Sequence, residues 1–333
     1  MELAELLAER FTQRDWARTL DHAVGCVEEQ GADVPHRVGA AICALKLASN
    51  LGAVDTMKRV YQAVRHLTAQ PSVTEVQRLT LEMVHETICG DQCLAAAASR
   101  KLLAIAERSP LHPDDLPLML DCVTSLRRGG EEGEAEEVCA SLLDGALKYD
   151  CHEIADAAFT HLMEMHLDAD RIDAASELKR ARERWGRSST PGGPPAARIA
   201  VARLHARLEQ WRAARRLLSP PGGKSLCCDD VAMSRSAALA TMVRVDCGTD
   251  AKRARVAGLL EELIDLNRKL QGIGAQDYET CSVALAQRYV GKPESADRTL
   301  RSYVENRRRD RRPFSIELAI ELDRIDLGLR SEP

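Results

Sequence analysis

Aromatic residues make up only 3% of this 333-residue chain, which is little for a globular enzyme of its size. Runs of β-branched residues alternating at period two are absent, which excludes a sheet. No run approaches the roughly 18 apolar residues of a membrane span. The start, Met1-Glu2-Leu3-Ala4-Glu5, is acidic and lacks the basic, then apolar, pattern of a signal peptide, so a cytoplasmic protein is expected. Excess positive charge is also missing. The net charge is −5 and the pI about 6.0, which disfavours nucleic acid as the partner. The chain has no nucleophile elbow, no glycine-rich dinucleotide loop and no histidine-based zinc motif, so neither an enzyme nor a cofactor is expected.

What is present is Ala and Leu, good helix formers, within a hydrophobic content of 45%. Apolar helical segments recur roughly every 40 residues, the period band of helical solenoids. They cover Pro35–Leu51, Val73–Gly90, Asp115–Arg128, Cys151–Leu167, Pro195–Leu208, Asp230–Cys247 and Gln276–Val290. A short break and a second helix follow each. Ala40, Ala41, Ala44, Leu45, Leu47 and Ala48 form one apolar face; Val54, Met57, Val60, Tyr61, Val64 and Leu67 form the face of its partner. Two second-helix starts, Asp168–Ala174 and Gly291–Ala296, are nearly interchangeable. A single pair cannot bury its apolar face, so pairs stack and expose an extended binding surface. The eleven cysteines lie on apolar helical faces and read as reduced core residues.

Two Pro/Gly/Ser-rich stretches interrupt the pattern. Residues 188–195 form a loop or hinge between an N-terminal block, 1–187, and a C-terminal block, 196–333; residues 219–225 form a second loop. Phe314–Leu329 reads as an unpaired helix, either a cap over the last apolar face or the first helix of a longer protein.

Ala174, Ala213 and Ala296 each stand four residues before a leucine, namely Leu178, Leu217 and Leu300. Ser282–Tyr289 carries Ala and Tyr at first-helix positions. In these residues the chain resembles the tetratricopeptide-repeat family in its degenerate bacterial form. The Trp and Gly marks of that family are mostly missing. The resemblance implies an all-α fold, a right-handed superhelical solenoid of about seven to eight antiparallel helix pairs, whose first helices line a concave face. It also implies a non-catalytic regulatory scaffold or adaptor that binds a protein or peptide there. The alternative is a ligand- or peptide-sensing array of a bacterial signalling protein, of transcriptional-activator or diguanylate-cyclase type, with its output domain beyond this sequence. The Ala- and Arg-rich composition is consistent with a GC-rich bacterial genome.

Metal chemistry is weak. His85, Cys89 and Cys93 fall at helical spacing, but Gly90-Asp91 breaks the helix and a fourth ligand is missing. His161 and His166 lie about 140° apart on a helix and do not converge. Gly222-Gly223-Lys224-Ser225 lacks the first glycine of a phosphate loop. Charge carries more information. Arginines cluster at 180–187, at 203–216 and at 307–312, and an acidic partner would meet them. The candidate partner-binding residues on first helices are Lys46, Asn50, His85, His161, Arg203, Arg207, Arg244 and Arg288. The sequence leaves the oligomeric state open.

Overall fold

Gly52, Gly130, Asp150, Asp170, Glu209, Asp250 and Gly291 all have positive φ, between 48° and 87°. At each, the next residue's N–H donates to the carbonyl five residues back, at 2.7–3.0 Å. This left-handed cap satisfies carbonyls that the end of a helix would leave unpaired. From Gly130 the caps recur at Asp170, Glu209, Asp250 and Gly291, steps of 40, 39, 41 and 41 residues. Six of the seven caps join the two helices of a pair, so the period read from hydrophobic pattern is also a period of backbone turns.

The structure is a computed structural model. It describes residues 16–29, 31–108, 112–185, 195–219, 225–228, 231–270 and 277–309, with 318, 319 and 322. All described secondary structure is helical: α1 (Trp16–Glu28), α2 (Val34–Leu51), α3 (Val54–Val64), α4 (Glu75–Cys89), α5 (Gln92–Ala106), α6 (Leu116–Arg128), α7 (Glu132–Lys148), α8 (His152–Asp168), α9 (Ile172–Trp185), α10 (Pro195–Arg207), α11 (Trp211–Leu218), α12 (Ala232–Gly248), α13 (Arg253–Lys269), α14 (Asp277–Tyr289) and α15 (Pro293–Arg309). None of these helices is long and apolar enough to cross a membrane.

Two compact units divide the chain at Val138 and Cys139, inside α7. In the first, α2 packs on its partner α3 and on the next first helix, α4; α4 likewise packs on α5 and α6. In the second, α8 packs on α9 and α10, α10 on α11 and α12, α12 on α13 and α14, and α14 on α15. Thus α2, α4, α8, α10 and α12 each touch their own partner and the first helix of the next pair within the same unit.

Small side chains make this possible. Ala40, Ala41, Ala44, Leu45, Leu47 and Ala48 are all buried on α2, as their spacing predicts. Val54, Met57, Val60 and Val64 are buried on the facing α3. In the second unit Ala202, Ala214, Ala238, Ala240 and Ala286 let helices approach closely, and Leu218, Leu239, Leu260 and Leu263 fill the space between them. Each buried leucine contributes roughly 1.5–3 kcal/mol.

The α4–α5 connection is the exception to the left-handed cap. Gly90 has φ −124° and ψ −145°. The Glu86 carboxylate takes over, accepting from the Asp91 N–H at 2.7 Å. It passes so close that a Cβ on Gly90 would lie 1.8 Å from Glu86 Oε2. Asp91 then caps α5 by accepting from the Cys93 N–H at 2.8 Å.

Leu318 and Leu322, within the expected final helix, pack on Cys281, Ala284, Ala296, Leu300 and Val304 and cover the last pair. The expected helix Met1–Glu9, the capping segment Thr12–Asp15, loop residues 188–194 and 220–224 and the basic residues 310–312 lie outside the described residues.

Candidate functional site

The arginine clusters are not simply solvated faces. Arg182 donates to Asp156 from Nε and Nη2 at 2.9 and 2.8 Å, across α9 and α8. Arg215 on α11 and Arg255 on α13 both donate to Asp246 on α12, the latter at 2.6 Å, and the Asp246 side chain is fully buried. Arg307 lies 3.2 Å from Asp277. Much of the positive charge thus ties one helix to the next.

Three arginines do converge. Arg207 ends α10 and Arg203 stands one turn before it, while Arg244 leaves α12 four residues before its end. Tyr278, near the start of α14, has Arg203 Cζ 3.8 Å and Arg244 Cζ 4.5 Å from its ring centroid. Arg203 donates to Asp168 at 2.9 Å, Arg207 pairs with Asp170, and Arg244 Nε donates to the Ser282 hydroxyl at 2.7 Å. The Tyr278 hydroxyl donates to Thr241 at 3.2 Å. Rings and guanidiniums attract through the quadrupole, more strongly where water is excluded.

Arg203, Arg207, Arg244 and Tyr278 line a cleft of about 280 Å³ together with Ala206, Trp211, Cys247, Leu285 and Tyr289. Tyr289 is anchored by its hydroxyl, which donates to the Ala251 carbonyl at 2.7 Å. Trp211 lies against Gly248, where a Cβ would come within 2.6 Å of the indole. Burial pushes the Cys247 thiol up to about 12, and Asp246 beside it acts in the same direction, so Cys247 is a neutral apolar group here.

Beside Tyr278, Glu279 is fully buried, and its Oε2 accepts no hydrogen bond. Desolvation lifts its carboxyl to about 7. Arg203 opposes the rise; Glu164 and Asp168 add to it.

The other candidates sit elsewhere. Lys46 on α2 pairs with Asp121 on α6, and Asn50 is half-buried near the end of α2. His85 stacks on Tyr61 of α3, with centroids 3.4 Å apart and planes at 11°, and its Nδ1 lies 2.9 Å from Glu86. His161 is half-buried on α8 and is not among the cleft residues. Arg288 lies 3.7 Å from Asp297 of α15. It stands one residue, about 100°, around the helix from Tyr289, which turns it from the cleft towards its own partner helix. So Arg203, Arg207 and Arg244 come together, and the rest do not join them.

Trp211, Tyr278, Tyr289 and Gly248 carry the cleft without having been singled out as site residues. A weak signal existed, since Tyr278 and Tyr289 are two of only five tyrosines. Their meaning depends on partners 37 or more residues away.

His85, Cys89 and Cys93 are split between α4 and α5. Among the described residues no group of three or more His, Cys, Asp or Glu is placed to hold a metal ion. No family model and no curated protein matches the chain.

Proposed function

We propose that this chain is a non-catalytic helical-repeat module that binds a protein or peptide partner through the faces of its first helices. In this reading the pairs wind into a right-handed superhelix of about seven to eight pairs, and the partner is acidic. The role is regulatory, in the cytoplasm of a bacterium. The observation that carries the reading is the meeting of Arg203, Arg207 and Arg244 with Tyr278, groups from three successive first helices at one place. Repeat arrays build sites in this way, because each pair contributes a similar side-chain position to a shared surface. Guanidiniums on a partly dehydrated surface recognise carboxylates through charge-assisted, often bidentate, hydrogen bonds.

The test is selection of a random peptide library on the purified chain, repeated on Arg207→Glu. Arg207 is chosen because it is half-buried at the cleft's edge, so reversal of its charge leaves the core in place. The reading expects enriched peptides that carry Asp or Glu and lose binding to the variant. Failure of any sequence to enrich, or equal binding to the variant, would reject it.

A further inference from the structure

We infer that the cleft between α10, α12 and α14 takes one uncharged aromatic side chain of the peptide partner. The inference rests on the peptide reading and names the group that enters the site. Size comes first. Pockets for drug-sized ligands occupy roughly 300–1,000 Å³. This cleft, at about 280 Å³, holds one ring and not a length of peptide. Its walls, all within the second compact unit, are fixed before anything binds. The Tyr278 hydroxyl is tied to Thr241 and the Tyr289 hydroxyl to the Ala251 carbonyl, and the Trp211 indole lies against Gly248. Leu285 and the neutral Cys247 add apolar surface. A preformed pocket of this kind loses little side-chain entropy when it receives a guest.

Charge comes second, and it disfavours an ion inside the cleft. Arg203 donates to Asp168 at 2.9 Å, and Arg207 pairs with Asp170. The buried Glu279 interacts electrostatically with Arg203, with Glu164 and with Asp168. Arg244 donates to the Ser282 hydroxyl. Four carboxyls thus accompany three guanidiniums. A charged guest would have to displace one of these partners, whereas an uncharged one leaves them all in place. The preference for a ring comes third. Arg203 and Arg244 already hold one, with their Cζ atoms 3.8 and 4.5 Å from the Tyr278 centroid. Such contacts use the negative face of the ring and coexist with hydrogen bonds in the guanidinium plane. An aromatic guest offers the same kind of face to these cations and packs on Trp211 and Tyr289; an aliphatic guest lacks it. The partner's acidic residue then stays at the edge, against Arg207. That side chain is 27% exposed, and its guanidinium has donors beyond the one given to Asp170.

The test is the random peptide library selected on the full chain, followed by synthesis of an enriched peptide and calorimetry. Enriched peptides should share a Phe, Tyr or Trp at a fixed distance from an Asp or Glu. Replacing that ring by cyclohexylalanine, similar in size but without a π face, should weaken binding about tenfold. Replacing it by 4-carboxyphenylalanine, which carries a charge into the cleft, should weaken binding at least as much. Leu285→Trp fills the cleft from α14 and should weaken the ring-bearing peptide about tenfold, with the far-ultraviolet circular dichroism unchanged. On that variant, replacing the peptide's ring by alanine should lose no further affinity. Peptides that share an acid but no ring would overturn the inference and leave the peptide reading standing. Peptides that share a ring but no acid would support the inference and remove the acidic partner from that reading. An empty selection would reject both. Undiminished binding of the cyclohexyl or the carboxylated peptide to the parent chain would also overturn the inference.

Discussion

Arg203 and Tyr278 stand on helices separated by an intervening first helix, yet the guanidinium carbon lies 3.8 Å from the ring centroid. Arg244, from the helix between them, lies 4.5 Å from the same ring. The ring is therefore shared by two cations and is 96% withdrawn from solvent. Tyr278→Leu should destabilise the fold by about 2 kcal/mol, through lost packing and two lost cation–ring contacts. Tyr278→Phe keeps the ring face and removes the hydroxyl with its hydrogen bond to Thr241, so about 1 kcal/mol is expected. Urea unfolding of both variants decides the matter: equal losses would show that the hydroxyl, not the ring face, is what counts.

Glu279 gives a pH dependence of definite sign. Its folded value, about 7, exceeds the ordinary 4.5, so the folded chain holds this proton more tightly than the unfolded chain does. The stability it supports is complete below about 4.5 and is lost as the pH rises through about 7. The span corresponds to roughly 3 kcal/mol. Glu279→Gln, neutral at every pH, should be more stable than the parent at pH 8 and indistinguishable from it at pH 4. Thermal melts across that range would show the two curves converging on the acid side; parallel curves would contradict the assignment.

Asp246 is held by two arginines that are themselves half-exposed or exposed, Arg215 and Arg255. Either arginine alone can still answer the buried charge. Arg215→Ala and Arg255→Ala should each cost about 1 kcal/mol, and the double variant about 3 kcal/mol or more, because the carboxylate is then stranded. Additive losses in a double-mutant cycle would mean that the two pairs act independently.

Glu209 occupies the left-handed region at φ 56°. Gly52, Gly130 and Gly291 fill the equivalent place in other pairs without strain, and Asp tolerates it better than Glu does. Glu209→Gly should stabilise the second unit by about 1 kcal/mol. A fall in melting temperature would show that the exposed Glu209 side chain makes a contribution larger than its backbone strain.

How much of this could be read from the residues differs by level. The pairing of helices was legible at α2 and α3 because Ala, Leu, Val and Met recur there at three and four residues and Gly52 closes the turn. Asp170 and Gly291 illustrate a subtler success: the similar sequences around them make the same turn, with Arg171 and Lys292 donating to carbonyls at the same 2.7 Å. Asp150, Glu209 and Asp250 were harder to recognise as turn residues, since each replaces the glycine that usually signals a left-handed cap. At the cleft, helix periodicity brings Arg203 and Arg207 to one face because they are four apart. Nothing local could pair Arg203 with Tyr278, 75 positions later. His85 shows the opposite case, a histidine on a first helix whose phase turns it onto Tyr61 of the preceding helix.

The pair between Lys46 on α2 and Asp121 on α6 reaches past the intervening α4. A stack in which each element meets only its neighbours melts like a linear chain of coupled spins, fraying inward from its ends. A tie to the second neighbour alters that statistics, because unfolding α2 forfeits a contact that two later helices have been arranged to meet. The transition sharpens, the population of half-melted stacks falls, and hydrogen exchange along α2, α4 and α6 should approach a common rate instead of a gradient.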